Sequence, residues 1–208
     1  MATGSGPKEA RPPASTNWLE EYTFPEEARF AERAHADEVA EFFLDELLAN
    51  GTTSALVFCT VHRASADAFF EAAERRNVRM CAGQVMMDRL CPPNLRDTPD
   101  SARKDAHELI ERWDGRGRLH YAITPRFAIT SSSEQLKLAG ELARAHPSAF
   151  IHPHVAEHGE RTDHVVDQLT DRPLRARCRL VVVSHGCAGN DRGGLVDPSL
   201  QPDQCIHG

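Results

Sequence analysis

The chain has 208 residues and a mass of 23.0 kDa, the size of one domain or of a piece of a larger one. Hydrophobic residues make up 40% and charged residues 26%, which excludes a wholly disordered or fibrous protein. The formal net charge of -7 argues against nucleic acid or an anionic membrane surface as the main partner.

The two ends of the chain differ in composition from its middle. Residues 1–17 are polar and proline-rich without the apolar core of a secretory signal, and we expect a disordered tail there. Residues 186–208 are rich in glycine and proline and are expected to be an irregular tail, which leaves 18–185 as the folded domain. The six cysteines form no CxxC pair, and no apolar run approaches the roughly 20 residues of a transmembrane helix. We therefore expect a cytoplasmic protein with reduced thiols.

Strand-like and helix-like segments alternate along the middle of the chain. Apolar spacing predicts helices over 35–50, 101–113, 133–145 and 159–169, and a further helix capped by Ser65. Short apolar runs predict strands over 55–61, 78–87, 119–124, 149–154 and 180–183. In the first helix, Phe42, Phe43 and Leu47 recur at helical spacing and are expected to form the apolar face.

This alternation of about five β/α units implies a parallel sheet with helices packed outside it. Two architectures fit, an open doubly wound sheet and a partial (β/α)8 barrel. No glycine-rich fingerprint follows the first strand, which weakens the dinucleotide-binding form of the open sheet.

Polar side chains follow the ends of the predicted strands. These residues, here called the rim, are Thr60, His62, Met87, Asp88, Thr124, Arg126, His152, His154, Glu157 and His185. Because the carboxyl ends of parallel strands meet at one side of a sheet, we expect the rim to form an active site.

Two parts of the rim are suited to particular chemistry. His152 and His154 share a strand face and are candidate metal ligands, and Glu157 is placed to shuttle a proton. The alternative, surface histidines on a polar loop, fits this spacing equally well. The Arg126 fork with a neighbouring aromatic ring, Phe127, suits a planar ligand that bears a carbonyl group. The alternative is that Arg126 pairs with a nearby carboxylate. His185 is a further candidate metal ligand or a solvated loop residue.

Several long segments resemble the guanine deaminases, a zinc-dependent family within the amidohydrolase superfamily. The matching segments are 22–26 (YTFPE), 42–48 (FFLDELL) with 50–53 (NGTT), 83–89 (GQVMMDR) and 117–128 (GRLHYAITPRFA). The resemblance implies a metal-centred (β/α)8 barrel, active in purine catabolism, that hydrolyses guanine to xanthine and ammonia. It assigns zinc ligation to His154 and His185 and acid–base catalysis to Glu157. It assigns purine binding to Arg126 and Phe127, and it suggests a homodimer.

The sequence also departs from this family. No H-x-H pair of zinc ligands precedes Trp18, the family's aspartate ligand is missing, and His152-Pro153 stands where the family usually has Gln-Thr. The chain is therefore expected to be an incomplete and inactive fragment of such an enzyme. Two other hypotheses stay open: the chain is an inactive remnant that binds a partner, or it is an amidohydrolase that acts on a different amino-substituted ring.

Overall fold

The computed structural model describes residues 19–127 and 129–154, which contain a parallel sheet of five strands. The strands are β1 (Ser54–Phe58), β2 (Arg79–Gly83), β3 (Val85–Met86), β4 (Leu119–Pro125) and β5 (Phe150–Ile151). The helices are α1 (Phe24–Ala28), α2 (Arg33–Ala49), α3 (Arg63–Arg76), α4 (Pro99–Trp113) and α5 (Ser133–Ala145). Shorter helical turns span Leu19–Thr23, Arg29–Ala31 and Pro93–Leu95.

The order of the strands in the sheet decides between the two predicted architectures. β1 pairs with β2, β2 and β3 both pair with β4, and β4 pairs with β5, always in parallel. Met80 lies opposite Leu119 and Val85 opposite Thr124, so β2 and β3 keep one register on β4 and are two parts of a strand interrupted at Gln84. Strands that follow one another in the chain are therefore neighbours, as in a (β/α) barrel and unlike a doubly wound sheet.

Helices α3, α4 and α5 connect successive strands and cover the sheet with apolar side chains. Phe70 of α3 stacks on Trp113 of α4 with ring centres 5.4 Å apart, and it also stacks on Tyr121 of β4 at 6.4 Å. All three side chains are almost fully buried, at 1% exposure or less. This aromatic contact joins two helices to the sheet and forms the centre of the core.

One local prediction about the helices was wrong, and another was only partly right. Ser65 does not cap α3, because the helix already begins at Arg63, and the Ser65 hydroxyl instead accepts a hydrogen bond from the Thr60 amide at 3.1 Å. The buried residues of α2 are Ala36, Ala40 and Leu44. Of the predicted face, Leu47 packs against the core as a partly buried residue, whereas Phe42 and Phe43 are 66% and 38% exposed. Small side chains allow α2 to pack closely against α3, so tertiary packing outweighs the larger residues in choosing the face.

The remaining sequence predictions are only partly covered by the described residues. The predicted helix over 159–169, the strand over 180–183 and the tails 1–17 and 186–208 lie outside them. In the described part, Cys59, Cys81 and Cys91 are free thiols. No helix there is long and apolar enough to cross a membrane.

Candidate active site at the carboxyl edge of the sheet

Backbone hydrogen bonds join the rim segments that follow four strands. The Val85 amide donates to the Thr60 carbonyl at 3.1 Å, which joins the end of β1 to β3. The Arg126 amide donates to the Met86 carbonyl at 3.1 Å, and the His154 amide donates to the Arg126 carbonyl at 2.9 Å. Arg126 and His154 are therefore direct neighbours at one edge of the sheet, as the parallel topology predicted.

His152 and His154 lie against the same aromatic ring. The ring centre of Phe58 is 3.9 Å from that of His152 and 4.2 Å from that of His154, so both imidazoles are on one side of the sheet. Burial, with a smaller contribution from His154, lowers the pKa of His152 to about 3. Burial also lowers the pKa of His62, although the Glu27 carboxylate acts in the opposite direction. Neutral imidazole is the form that binds metals and accepts protons.

Arg126 is held by a carboxylate, the alternative that the sequence left open. Its Nη1 donates to Glu27 Oε2 at 2.7 Å and lies 3.8 Å from Met87 Sδ. The guanidinium carbon lies 5.3 Å from the ring centre of Phe24, a cation–π distance. Phe127 follows directly and is 9% exposed. The rim thus combines a buried guanidinium with aromatic side chains, which suits a planar ligand with a carbonyl group.

Glu27 and Phe24 are the site residues that reasoning from strand ends missed. Both belong to α1, which precedes the first strand, and Glu27 is 99 positions away from Arg126 in the chain. Phe24 lies within 22–26, one of the segments that resemble the guanine deaminases, and Glu27 is the residue directly after that segment. The resemblance of that segment to the family could have marked Phe24 and Glu27 as site residues. Its position in the chain, however, does not indicate which strand end the two side chains reach.

Asp88, another rim residue, has a structural role. Its carboxylate accepts hydrogen bonds from the Ser132 amide at 2.7 Å and from the Ser132 hydroxyl at 2.5 Å. Ser132 is the N-cap of α5, where its hydroxyl also accepts from the Gln135 amide at 3.2 Å. Asp88 therefore fixes the start of α5 against the end of β3.

The described residues do not by themselves form a zinc site. They include His154 among the predicted ligands, while His185 and the predicted acid–base residue Glu157 lie outside them. No group of three His, Cys, Asp or Glu side chains within the described ranges is placed to hold a metal ion. A catalytic zinc site uses about three protein ligands, so His154 and its neighbour His152 are insufficient alone.

Comparison with known proteins identifies the family to which the chain belongs. Residues 15–174 match the amidohydrolase family, and the chain belongs to that family. Guanine deaminase of Escherichia coli strain K12 is 53% identical over 140 residues, which are 67% of this chain and 32% of the relative. The chain thus spans about a third of the length of this curated relative.

Solved structures show the same relationship in three dimensions. The E. coli guanine deaminase structure superposes with a TM-score of 0.68 at 49% identity, covering 73% of this chain and 36% of the other. A guanine deaminase from C. acetobutylicum with guanine bound in its active site superposes with a TM-score of 0.74 at 25% identity. This superposition covers 81% of this chain and 42% of the other. The predicted family and the predicted partial (β/α)8 barrel are therefore confirmed.

Proposed function

We propose that this chain is part of an enzyme that hydrolyses guanine to xanthine and ammonia in the cytoplasm, with zinc as the metal. The observation that carries the proposal is that the buried Arg126 lies next to the half-buried His154 at the carboxyl edge of the sheet, where a 2.9 Å backbone hydrogen bond joins them. Relatives named guanine deaminases match this part of the chain, which supports guanine over other amino-substituted rings.

In this proposal four rim residues and the adjacent Phe127 have roles in binding or catalysis. Arg126 donates hydrogen bonds to the guanine carbonyl, and Phe127 stacks on the purine. His154 and His185 are proposed metal ligands. Glu157 is the proposed acid–base group, which would carry a proton between the attacking water and the leaving amine. The folded unit is proposed to span 18–185 and to form a homodimer.

Ligand binding tests the substrate assignment without requiring catalysis. We expect the purified chain to bind guanine more tightly than adenine, because adenine has no carbonyl group for Arg126. Arg126→Gln should weaken guanine binding by at least about tenfold, since it removes a charged donor from a buried site. Arg89→Gln is the matched control, because Arg89 is exposed on a rim loop and donates to the Ile129 carbonyl. Equal affinities for guanine and adenine, measured by titration calorimetry, would contradict the proposal.

Metal content and turnover test whether the chain is catalytically complete. We expect well under one zinc per molecule and no ammonia release above background, because His154 and His185 are too few to hold zinc firmly. Plasma mass spectrometry measures the metal, and ultraviolet absorbance follows guanine loss. Stoichiometric zinc with turnover that Glu157→Gln abolishes would confirm the function and contradict the expected incompleteness.

A further inference from the structure

The ion pair between Glu27 and Arg126 is unusually well buried. The two side chains are 20% and 10% exposed, and among the described residues no other ion pair has both partners at or below 20%. Such burial excludes most of the water that would otherwise screen the two charges. The pair is therefore an electrostatic unit of the site, unlike the exposed pairs on the helices.

The contacts of Arg126 fix one edge of its guanidinium. Both Glu27 and Met87 contact the same atom, Nη1, and the ring of Phe24 lies 5.3 Å from the guanidinium carbon. The carboxylate thus orients the planar fork through one nitrogen. This arrangement favours presentation of the opposite edge to a ligand.

The charge of the pair limits which ligands are favoured. A buried guanidinium without a carboxylate would strongly attract an anion, because an unpaired buried charge is costly. With Glu27 at 2.7 Å the pair has no net charge. At the opposite edge of Arg126 an anion would be repelled by the nearby Glu27 carboxylate, whereas a neutral carbonyl group would accept hydrogen bonds from Arg126 without that repulsion.

We infer that Glu27 is the positioning residue of Arg126 and that it restricts the site to uncharged planar rings bearing a carbonyl group. The restriction on ligands rests on the proposed function, in which Arg126 binds a purine. The positioning role rests on the ion pair alone. Helix α1 is accordingly part of the binding site, although it precedes every strand of the described sheet.

The test compares a neutral and an anionic purine. Guanine is neutral and urate is an anion at neutral pH, and both are planar and bear carbonyl groups. In the full chain, Glu27→Gln should shift the ratio of guanine to urate affinity toward urate by at least about tenfold, because it leaves Arg126 with an uncompensated charge. Glu27→Asp keeps the charge and should restore much of the original ratio. Glu26→Gln is the matched control, because Glu26 is 56% exposed and pairs with Arg29 at the surface.

A second measurement examines the ion pair without any ligand. Phenylglyoxal modifies arginine side chains, and peptide mass spectrometry measures the rate at which Arg126 is modified. We expect faster modification in Glu27→Gln than in Glu26→Gln, since the guanidinium is no longer held. Equal rates would overturn the positioning role, and an unchanged affinity ratio would overturn the restriction on ligand charge.

The two measurements separate this inference from the proposed function. If the unaltered chain binds neither purine, the guanine assignment and the ligand restriction fail, while the phenylglyoxal rates still decide the positioning role. If circular dichroism shows that Glu27→Gln does not fold, Glu27→Ala replaces it in the modification experiment. It removes the carboxylate altogether, and a rate equal to that of Glu26→Gln would then overturn the positioning role.

Discussion

Asp97 is a partly buried carboxyl group that links β3 to α5. Its amide donates to the Met87 carbonyl at 2.9 Å, and Gln135 Nε2 donates to its Oδ1 at 2.5 Å. Its other oxygen, Oδ2, has no hydrogen-bond partner among the described residues. Burial raises the pKa of Asp97 to about 7, and the nearby Asp88 carboxylate contributes in the same direction. The folded chain therefore favours the protonated carboxyl group.

This raised pKa makes the free energy of unfolding depend on pH. In the unfolded chain Asp97 loses its proton near a pKa of about 3.9, whereas in the folded chain it keeps the proton until about pH 7. The stability that the protonated Asp97 contributes is therefore complete below about pH 3.9 and is lost as the pH rises to about 7. Asn cannot ionise, so the free energy of unfolding of Asp97→Asn should rise relative to that of the unaltered chain by roughly 1–3 kcal/mol as the pH goes from about 5 to about 8. Urea unfolding at several pH values measures this gain.

The control for that experiment is Asp100→Asn, at an exposed position in the first turn of α4. It should shift stability by only about 0.3–1 kcal/mol, with little pH dependence over the same range. Parallel pH curves for Asp97→Asn and the unaltered chain would contradict the shifted pKa of Asp97.

At the scale of secondary-structure elements, the pairing of β2 with β4 depends on a glycine. A Cβ atom built on Gly83 would lie 1.7 Å from the Ala122 carbonyl oxygen and 2.7 Å from Thr124 Oγ1. The nearer of these is a backbone atom of the adjacent strand, which cannot move without disturbing the sheet. The strand then breaks at Gln84, whose side-chain nitrogen donates to the Val61 carbonyl at 2.7 Å. Gly83 therefore permits a close approach of β2 to β4 that a larger side chain would prevent.

We expect Gly83→Ala to cost about 3 kcal/mol or more, because a strand backbone must shift to make room for the methyl group. Gly51→Ala is the control, because Gly51 has a positive φ of +78° and no atom within 4 Å of a built Cβ. Its cost should be limited to about 1–2 kcal/mol of backbone strain. Equal losses for the two variants in thermal unfolding would show that Gly83 does not experience the steric clash.

At the scale of the whole molecule, Asp67 of α3 joins α4 through one buried and one partly buried hydrogen bond. Its Oδ1 accepts from Trp113 Nε1 at 2.8 Å and from Arg112 Nη1 at 3.0 Å. The Asp67 side chain is 10% exposed, and Trp113 is buried in the core. The carboxylate therefore satisfies an indole donor that no water can reach.

We expect Asp67→Ala to destabilise the fold by about 2–4 kcal/mol, because Trp113 Nε1 would lose its partner inside the core. Glu141→Ala is a matched control, since the Glu141 side chain is 48% exposed and pairs with Arg103 on the surface. That exposed pair should contribute little to stability, because solvent screens both charges. Urea unfolding compares the two, and similar losses would exclude the buried role of Asp67.

Much of the fold and part of the site follow from the amino-acid sequence alone. Apolar runs and helical periodicity predicted the alternating units, because consecutive side chains determine which local structure buries its apolar surface. Parallel strands place their carboxyl ends on one side, and this rule predicted that Arg126 and His154 lie at one edge of the sheet. The roles of His185 and Glu157 remain predictions from family resemblance.

Tertiary structure decided what local patterns could not. Glu27 reaches Arg126 across 99 positions of the chain, and its pairing depends on where α1 packs against the rim. The apolar face of α2 turned away from Phe42 because the close contact with α3 requires small side chains. The shifted pKa of Asp97 likewise arises from burial, which depends on residues distant in sequence. Each of these outcomes is a contact between segments remote along the chain, and periodicity in one segment carries no information about its remote partner.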